Sequence, residues 1–521
     1  MGGRTGALAG ASTAARVGEA AIAAIVALGL LVVIIAANRP SLLTPTTHVG
    51  YFPHWMAGPL GGLVPGFTSN ATTLKYWFSG AIVLMYVSYV VALRAAPHLP
   101  VRWVLGAILA VHTVFLLSPP LALTDLFNYV NYGRMEVVHN LNPYITIPIL
   151  EPHNDPSFIL SNWHELLSPY GPLFTIVTFI VVPLGVAASF WALKALLMLT
   201  SLATILLVWK CARLLGRDPR AAVMLVGLNP IVLVWGLGGD HNDFLMVFFI
   251  MLGFYLLLLA RSKTGELRAA AQADEAGGPS SADGSASQAN ASEADGWGER
   301  LREWLLPLSA LEMGAGAAFV VATGIKASGG VLIPVVLVAL LRTPRRLAQV
   351  LLGMVVSTVI VAALSVLFFG LHIPDLSTQS KLVTSESIPN LIGLLFGAGG
   401  ENELLHKLMD VVLIASVIGC CWMAWSRRWS SADRLLTASG WASVALLVSL
   451  SWVLPWYVLW VLPLAALSSS RRLRGAALLI GVYLIIAWAP VSGLVWNAIG
   501  FHPESTAIGR LHQRYVKELL N

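Results

Sequence analysis

Apolar runs long enough to cross a bilayer follow one another along almost the whole of this chain, and no other property restricts its fold so tightly. Inside a membrane the backbone must satisfy its own polar groups, so such runs become helices of roughly 17 to 25 residues. The runs fall at 18–37, 77–95, 101–118, 189–209, 221–236, 243–261, 305–325, 328–342, 347–369, 408–426, 435–450, 452–468 and 475–492. Only 11% of the 521 residues are charged, where soluble domains carry about 25%. The expectation is an all-α polytopic membrane protein of about thirteen spans, with external juxtamembrane loops and helices. The 18 tryptophans and 12 tyrosines suit two membrane–water interfaces. No small-residue cleavage site follows the first run, which reads as an uncleaved helix rather than a signal peptide.

Charge sets the orientation. The net +6 does not indicate nucleic-acid binding, because the basic residues gather in loops at one parity of the spans, as cytoplasmic loops do. Those loops hold Arg94 and Arg102, Lys210 to Arg220, Arg261 and Lys263, Arg342 to Arg346, Arg427 to Arg434, and Arg471 to Arg474. The simpler parity has 172–187 lie along the outer interface or re-enter, with a span there left open. The organisation expected is an amino-terminal membrane half, 1–261, carrying an external loop at 119–170. A disordered cytoplasmic linker follows at 262–303, rich in Ala, Ser, Gly, Asp and Glu. A carboxy-terminal membrane half, 304–496, and an external polar tail, 497–521, complete the chain. The three cysteines lie at or within apolar segments and suggest neither a disulfide framework nor a zinc site.

The chemistry concentrates in Leu123 to Tyr144, where Asp125 is the first charge after a membrane-length run. An aspartate at the mouth of a membrane bundle is costly and therefore a functional candidate. Tyr129, Tyr132, Arg134, Glu136, Asn142 and Tyr144 surround it. The turn Gly238-Gly-Asp-His-Asn-Asp243, Lys326, and Trp452-Val-Leu-Pro-Trp-Tyr457 fall on the same face by the parity of the spans. Sugar transfer from a lipid-phosphate donor needs a base, cations for the leaving phosphate, and aromatic faces for sugar rings. Asp125 suits the base; Lys326, helped by Arg134 or Lys381, suits the phosphate. Tyr129, Tyr144, Trp456 and Tyr457 suit the sugars or the prenyl chain. Each has a plainer reading. Asp125 can cap the next helix, Trp456 and Tyr457 can anchor at the interface, and Lys326 can snorkel. His241 between two aspartates makes a hydrogen-bonded turn more readily than a metal site, because no further close-spaced His or Cys completes one. The sequence requires no cofactor or divalent metal.

Five blocks in order resemble the actinobacterial α-(1→6)-mannosyltransferases that use polyprenyl phosphomannose. Asp125-Leu-Phe-Asn-Tyr129 with Gly133 and Leu141-Asn-Pro-Tyr144 is similar to their Asp-x-Tyr-x-Tyr…Gly…Gly-Leu-x-Pro-Tyr. Pro169-Tyr-Gly-Pro172 matches their Pro-Tyr-Gly-Pro, and Leu228-Asn-Pro through Gly238-Gly-Asp-His-Asn-Asp243 is similar to their Leu-Asn-Pro…Gly-Gly-x-His-Asn-Glu. Ile325-Lys-Ala-Ser-Gly and Trp456-Tyr457 with Trp460 and Pro463 also fit. Phe127, Asn140 and Asp243 depart from the pattern, standing where tyrosine, glycine and glutamate are usual. The resemblance implies a GT-C-type bundle in the plasma membrane with its site at the extracytoplasmic face. It implies an inverting transfer of mannose from polyprenyl phosphomannose to the 6-hydroxyl of a lipid-anchored α-mannan, in lipomannan and lipoarabinomannan synthesis. Carried over, Asp125 matches the essential loop aspartate, His241 and Asn242 the His-Asn pair, and Lys326 the Val-Lys-Ala lysine. The expected substrate-binding set is Tyr129, Asn142, Tyr144, Tyr170, His241, Asn242, Asp243, Trp456 and Tyr457. Three alternatives stand beside this reading. One is transfer of arabinofuranose or glucose from the same lipid class, and one is an inactive relative. The third is a lipid-linked sugar flippase, which predicts ionisable residues deep in spans and broken helices.

Overall fold

The computed structural model describes residues 2–37, 54–60, 63, 71–121, 125–276, 309–375, 382–426 and 431–520. Among these the regular structure is helical, with no β-strand. The long apolar helices are α1 (Gly2–Ala36), α2 (Ala71–Ala95), α6 (Val186–Leu214), α8 (Asp243–Ala276), α11 (Pro344–Phe369) and α13 (Glu403–Trp425). Between them lie α3 (Val101–Leu116), α4 (Asp125–His139), α5 (Pro172–Val181), α7 (Pro219–Gly227), α9 (Ala310–Ile325), α10 (Ile333–Leu340) and α12 (Ile388–Leu395). The chain closes with α14 (Ser431–Ser449), α15 (Leu462–Leu467), α16 (Arg471–Trp488), α17 (Ser492–Ala498) and α18 (Ala507–Leu520).

Of the about thirteen spans expected, six helices among the described residues are long and apolar enough by themselves to cross a membrane, or seven if α16 and α17, bent by 100°, form one span. The other apolar runs are short or interrupted, for identifiable reasons. The run 221–236 breaks at Asn229-Pro230 and continues as a π-helix over Val232–Leu237. The stretch after α9 extends at Lys326 and then forms a 3-10 turn, Ala327–Leu332, before Pro334 enters α10. The run 452–468 begins as a 3-10 turn, Pro455–Trp460. Proline removes a backbone donor and glycine loosens the helix. In a membrane protein such breaks survive where the freed backbone is buried in protein or lines a cavity. All three breaks abut the site described below.

Other expectations shift as well. Residues 125–139 form a buried helix rather than a loop. The run 172–187 is a short helix, α5, that turns through Val182–Leu184 and Gly185 (φ 87°) into α6. Helix α8 continues to Ala276, past the expected linker boundary at 262; residues 277–308 lie outside the described residues. The expected polar tail is folded. His512 Nδ1 accepts the Ser385 N–H at 3.0 Å, and Asn390 Nδ2 donates to Thr506 Oγ1 at 3.2 Å, so the chain end packs on 385–390. Helices α9 and α11 cross at their glycines, where a Cβ on Gly353 would collide with the Met313 carbonyl. His112 joins α3 to α6 through Ser201 at 3.0 Å.

Candidate active site

Asp125 is the first residue of α4, and its carboxylate keeps 12% of its surface open. His241 Nδ1 lies 3.1 Å from Asp125 Oδ2 and, in the tautomer protonated there, donates to it. The imidazole is clamped on its other face by Trp456, with ring centroids 3.3 Å apart and planes within 7°. His241 owes this position to Gly238 and Gly239. A Cβ on Gly239 would strike both the Trp235 carbonyl and His241 Nε2.

Two residues further on, Asp243 opens α8 and is held from two elements. Lys326 Nζ donates to its two oxygens at 3.0 and 2.8 Å, Trp456 Nε1 donates at 3.1 Å, and Trp460 Nε1 at 2.6 Å. Lys326 also lies over the rings of Tyr457 (4.9 Å) and Trp460 (5.6 Å), which stack on one another at 4.1 Å. Between Asp125 and Asp243, the backbone N–H of Asn242 donates to Tyr129 Oη at 3.2 Å. The Tyr129 ring meets Tyr170 edge-on at 4.6 Å and Phe174 at 4.7 Å. His241 Nε2, both polar ends of the Asn242 amide and Tyr170 Oη are buried without a protein partner. Buried polar groups are normally paired, and these four atoms leave hydrogen-bonding capacity in the cluster that no protein group uses.

The structure therefore brings Asp125, Tyr129, Tyr170, His241, Asn242, Asp243, Lys326, Trp456 and Tyr457 into one cluster. It uses three other expected site residues differently. Asn142 Nδ2 donates to the Phe369 carbonyl at 2.8 Å, and its Oδ1 accepts the Tyr144 N–H. Tyr144 Oη donates to the Tyr170 carbonyl at 2.8 Å, and its ring packs on Phe369. These two pin the 140–170 segment to the end of α11. Arg134 is engaged in a fork with Asp155, Nε to Oδ1 at 2.9 Å and Nη2 to Oδ2 at 2.8 Å, and His139 Nε2 joins at 2.8 Å. That geometry commits Arg134, expected at the phosphate, to Asp155. Burial pushes the Asp155 carboxyl up, but hydrogen bonds from Arg134, Ser157 and His139 outweigh it and hold it well below the usual carboxylate range. Nearby, burial pushes Glu151 up to about 7. Lys381 lies outside the described residues.

One site neighbour escaped the sequence reading. Lys194 sits within the apolar helix α6, 1% exposed, and its Nζ reaches both carboxylate oxygens of Asp240 at 3.0 Å. A lone lysine inside a membrane-length run was the available signal. Among the described residues, no group of three or more His, Cys, Asp or Glu side chains is arranged to hold a metal.

Residues 26–342 match the family described as Alpha-(1->6)-mannopyranosyltransferase, N-terminal domain, and residues 384–503 match the MptB C-terminal domain. The chain is similar to Alpha-(1->6)-mannopyranosyltransferase A of Mycobacterium tuberculosis. The two are 25% identical over 403 residues, which is 72% of this chain and 67% of that one. It is also similar to the protein of that name from Corynebacterium glutamicum, at 27% over 155 residues, 28% of this chain and 31% of the relative. No solved structure matches.

Proposed function

The chain belongs to the alpha-(1->6)-mannopyranosyltransferase family, and from that premise we propose that it moves mannose from polyprenyl phosphomannose to the 6-hydroxyl of a lipid-anchored α-(1→6)-mannan. On this reading it works in the plasma membrane, at the extracytoplasmic face, in lipoglycan assembly. The observation that carries it is Asp125: a partly open carboxylate, braced by one imidazole, beside a buried lysine–aspartate–indole cluster.

The reaction is a single displacement. The acceptor O6 attacks the anomeric carbon from the face opposite the phosphate, and the bond from that carbon to the phosphate oxygen breaks. The electron pair leaves with the polyprenyl phosphate, and the O6 proton passes to an Asp125 oxygen. His241 keeps that carboxylate aimed. Lys326 has three N–H donors and commits two of them to Asp243, leaving one for a phosphate oxygen. Its 21% exposed side chain makes that donor reachable. The aromatic faces of Tyr457 and Tyr170 supply apolar walls for sugar rings. Cytoplasmic-facing arginines are not needed in this scheme: Arg217 and Arg346 are paired with Asp433 and Glu312.

The broken helices and the buried Lys194 are features that a flippase would also have. Family membership and the reachable base favour transfer. The deciding experiment measures transfer from radiolabelled polyprenyl phosphomannose to a synthetic α-(1→6)-dimannoside, in membranes holding the wild type or Asp125→Asn. Label should reach the dimannoside with the wild type and fall to background with the inserted variant. Undiminished transfer by Asp125→Asn removes it as the base, and no transfer by folded wild type removes the donor assignment.

A further inference from the structure

The four residues Asp240 to Asp243 form a turn in which the last three each make a contact of the site. His241 faces Asp125, the Asn242 N–H meets Tyr129, and Asp243 takes Lys326. The turn hangs on Asp240, whose backbone is left-handed (φ 57°), a conformation that non-glycine residues seldom adopt. The backbone hydrogen bonds at its head are long: Asp240 N–H reaches the Leu237 carbonyl at 3.3 Å, and His241 N–H reaches the Gly236 carbonyl at 3.4 Å. While the rest of the turn is fixed by its contacts with the site, Asp240 is fixed by its own carboxylate, 3% exposed and gripped through both oxygens by Lys194. Lys194 is itself fixed within α6, with Phe190 one turn earlier and its ring 5.7 Å from Nζ. Left-handed strain of this kind persists only where the surroundings over-determine it.

We infer that Lys194 is a positioning residue of the transferase: through Asp240 it tethers the turn to α6 and so aims His241 at Asp125. The inference rests on Asp125 being the base. Lys194 has its contacts with Asp240 and Phe190, so its effect runs through the turn, on the placement of the base rather than on affinity for donor or acceptor. Misplacing a catalytic group by about 1 Å can cost on the order of 100-fold in rate.

The test uses the full-length protein in lipid nanodiscs and two double variants. Lys194→Met with Asp240→Gly removes both charges and relaxes the left-handed position, so no buried charge is stranded. Lys194→Gln with Asp240→Asn keeps a neutral hydrogen-bonded link. Steady-state transfer and hydrogen–deuterium exchange over 236–246 are read on both. Lys194→Met/Asp240→Gly should lower kcat roughly 10- to 100-fold at unchanged donor KM, with faster exchange over that peptide alone. Lys194→Gln/Asp240→Asn should recover part of kcat and of the protection. An unchanged kcat in the folded first variant overturns the inference. So does a rise in KM without a fall in kcat, or a fall in kcat with exchange unchanged. A wild type that transfers no mannose counts against the donor assignment instead, and the local rise in exchange then still identifies the tether.

Discussion

Lys326 holds Asp243, and the proposed role of meeting the donor phosphate can be separated from that one. Asp243 is 1% exposed on its side chain and accepts from Lys326, Trp456 and Trp460. Lys326→Met leaves that carboxylate buried with only two indoles. Breaking a buried ion pair from one side costs about 3 to 5 kcal/mol, and the 21% exposure of Lys326 places this one near 3 kcal/mol. Asp243→Asn keeps the shape and frees a lysine that already reaches the surface, so its cost is smaller, about 2 kcal/mol. The two variants should thus both unfold earlier in detergent, yet only Lys326→Met should raise the donor KM. Lys326→Met loses a charge-assisted bond to phosphate worth about 1.5 to 3 kcal/mol, a rise of roughly 10- to 100-fold in donor KM. Asp243→Asn releases Lys326 from its competitor and should leave KM unchanged or lower it. Thermal unfolding of the purified variants and donor titrations at saturating acceptor read both quantities. A KM that rises as much in Asp243→Asn as in Lys326→Met would refute the reasoning, because it would mean that Lys326 acts only by shaping Asp243.

Gly239→Ala should cut transfer by roughly 100-fold in a protein that still folds, since the added Cβ drives His241 away from Asp125; kinetics beside a melting curve check this. Arg134→Met should destabilise the 140–170 segment by about 1.5 to 3 kcal/mol, through the lost fork to Asp155, without changing donor KM. A higher KM would return a phosphate role to Arg134. For Glu151 the folded pKa of about 7 stands above the ordinary 4.5, so its contribution to stability is complete below about 4.5 and is lost as pH rises through 7. Glu151→Gln should abolish that decline, worth up to roughly 3 kcal/mol, in limited-proteolysis rates of the 140–170 segment measured across that range.

The grouping of the polar motifs was more legible than the backbone. Asp125, His241, Asn242, Asp243, Lys326 and Trp456 stand in motifs far apart in sequence, and the fold gathers them at one place. Their arrangement was not legible, because a motif carries no direction. Asn142 and Tyr144 belong to the same block as Asp125 yet turn their polar atoms inward to Phe369 and Tyr170. The polarity of 125–139 read as a loop because polar groups usually mark water. Here Asn128, Asn131, Tyr129 and Tyr132 are buried in a helix, beneath the segment that carries Asn162 and Leu166, which bond to Asn128 and Tyr132. The breaks inside two of the runs were hidden for a related reason. Hydropathy averages over Asn229-Pro230 and Pro455 without registering that each interrupts its helix. Lys194 was hidden by the same averaging, one charge diluted in a long apolar run.

The grip on Asp243 has a consequence for biogenesis. The two indoles that complete it come 213 and 217 residues later in the chain, and one of them is also the plate against which His241 lies flat. A nascent protein therefore inserts Asp125, His241, Asp243 and Lys326 well before the ribosome reaches Trp456. Until then the imidazole has no stacking partner and the carboxylate waits on lysine alone. Products that terminate early carry Asp125 and His241 without the indoles that frame them.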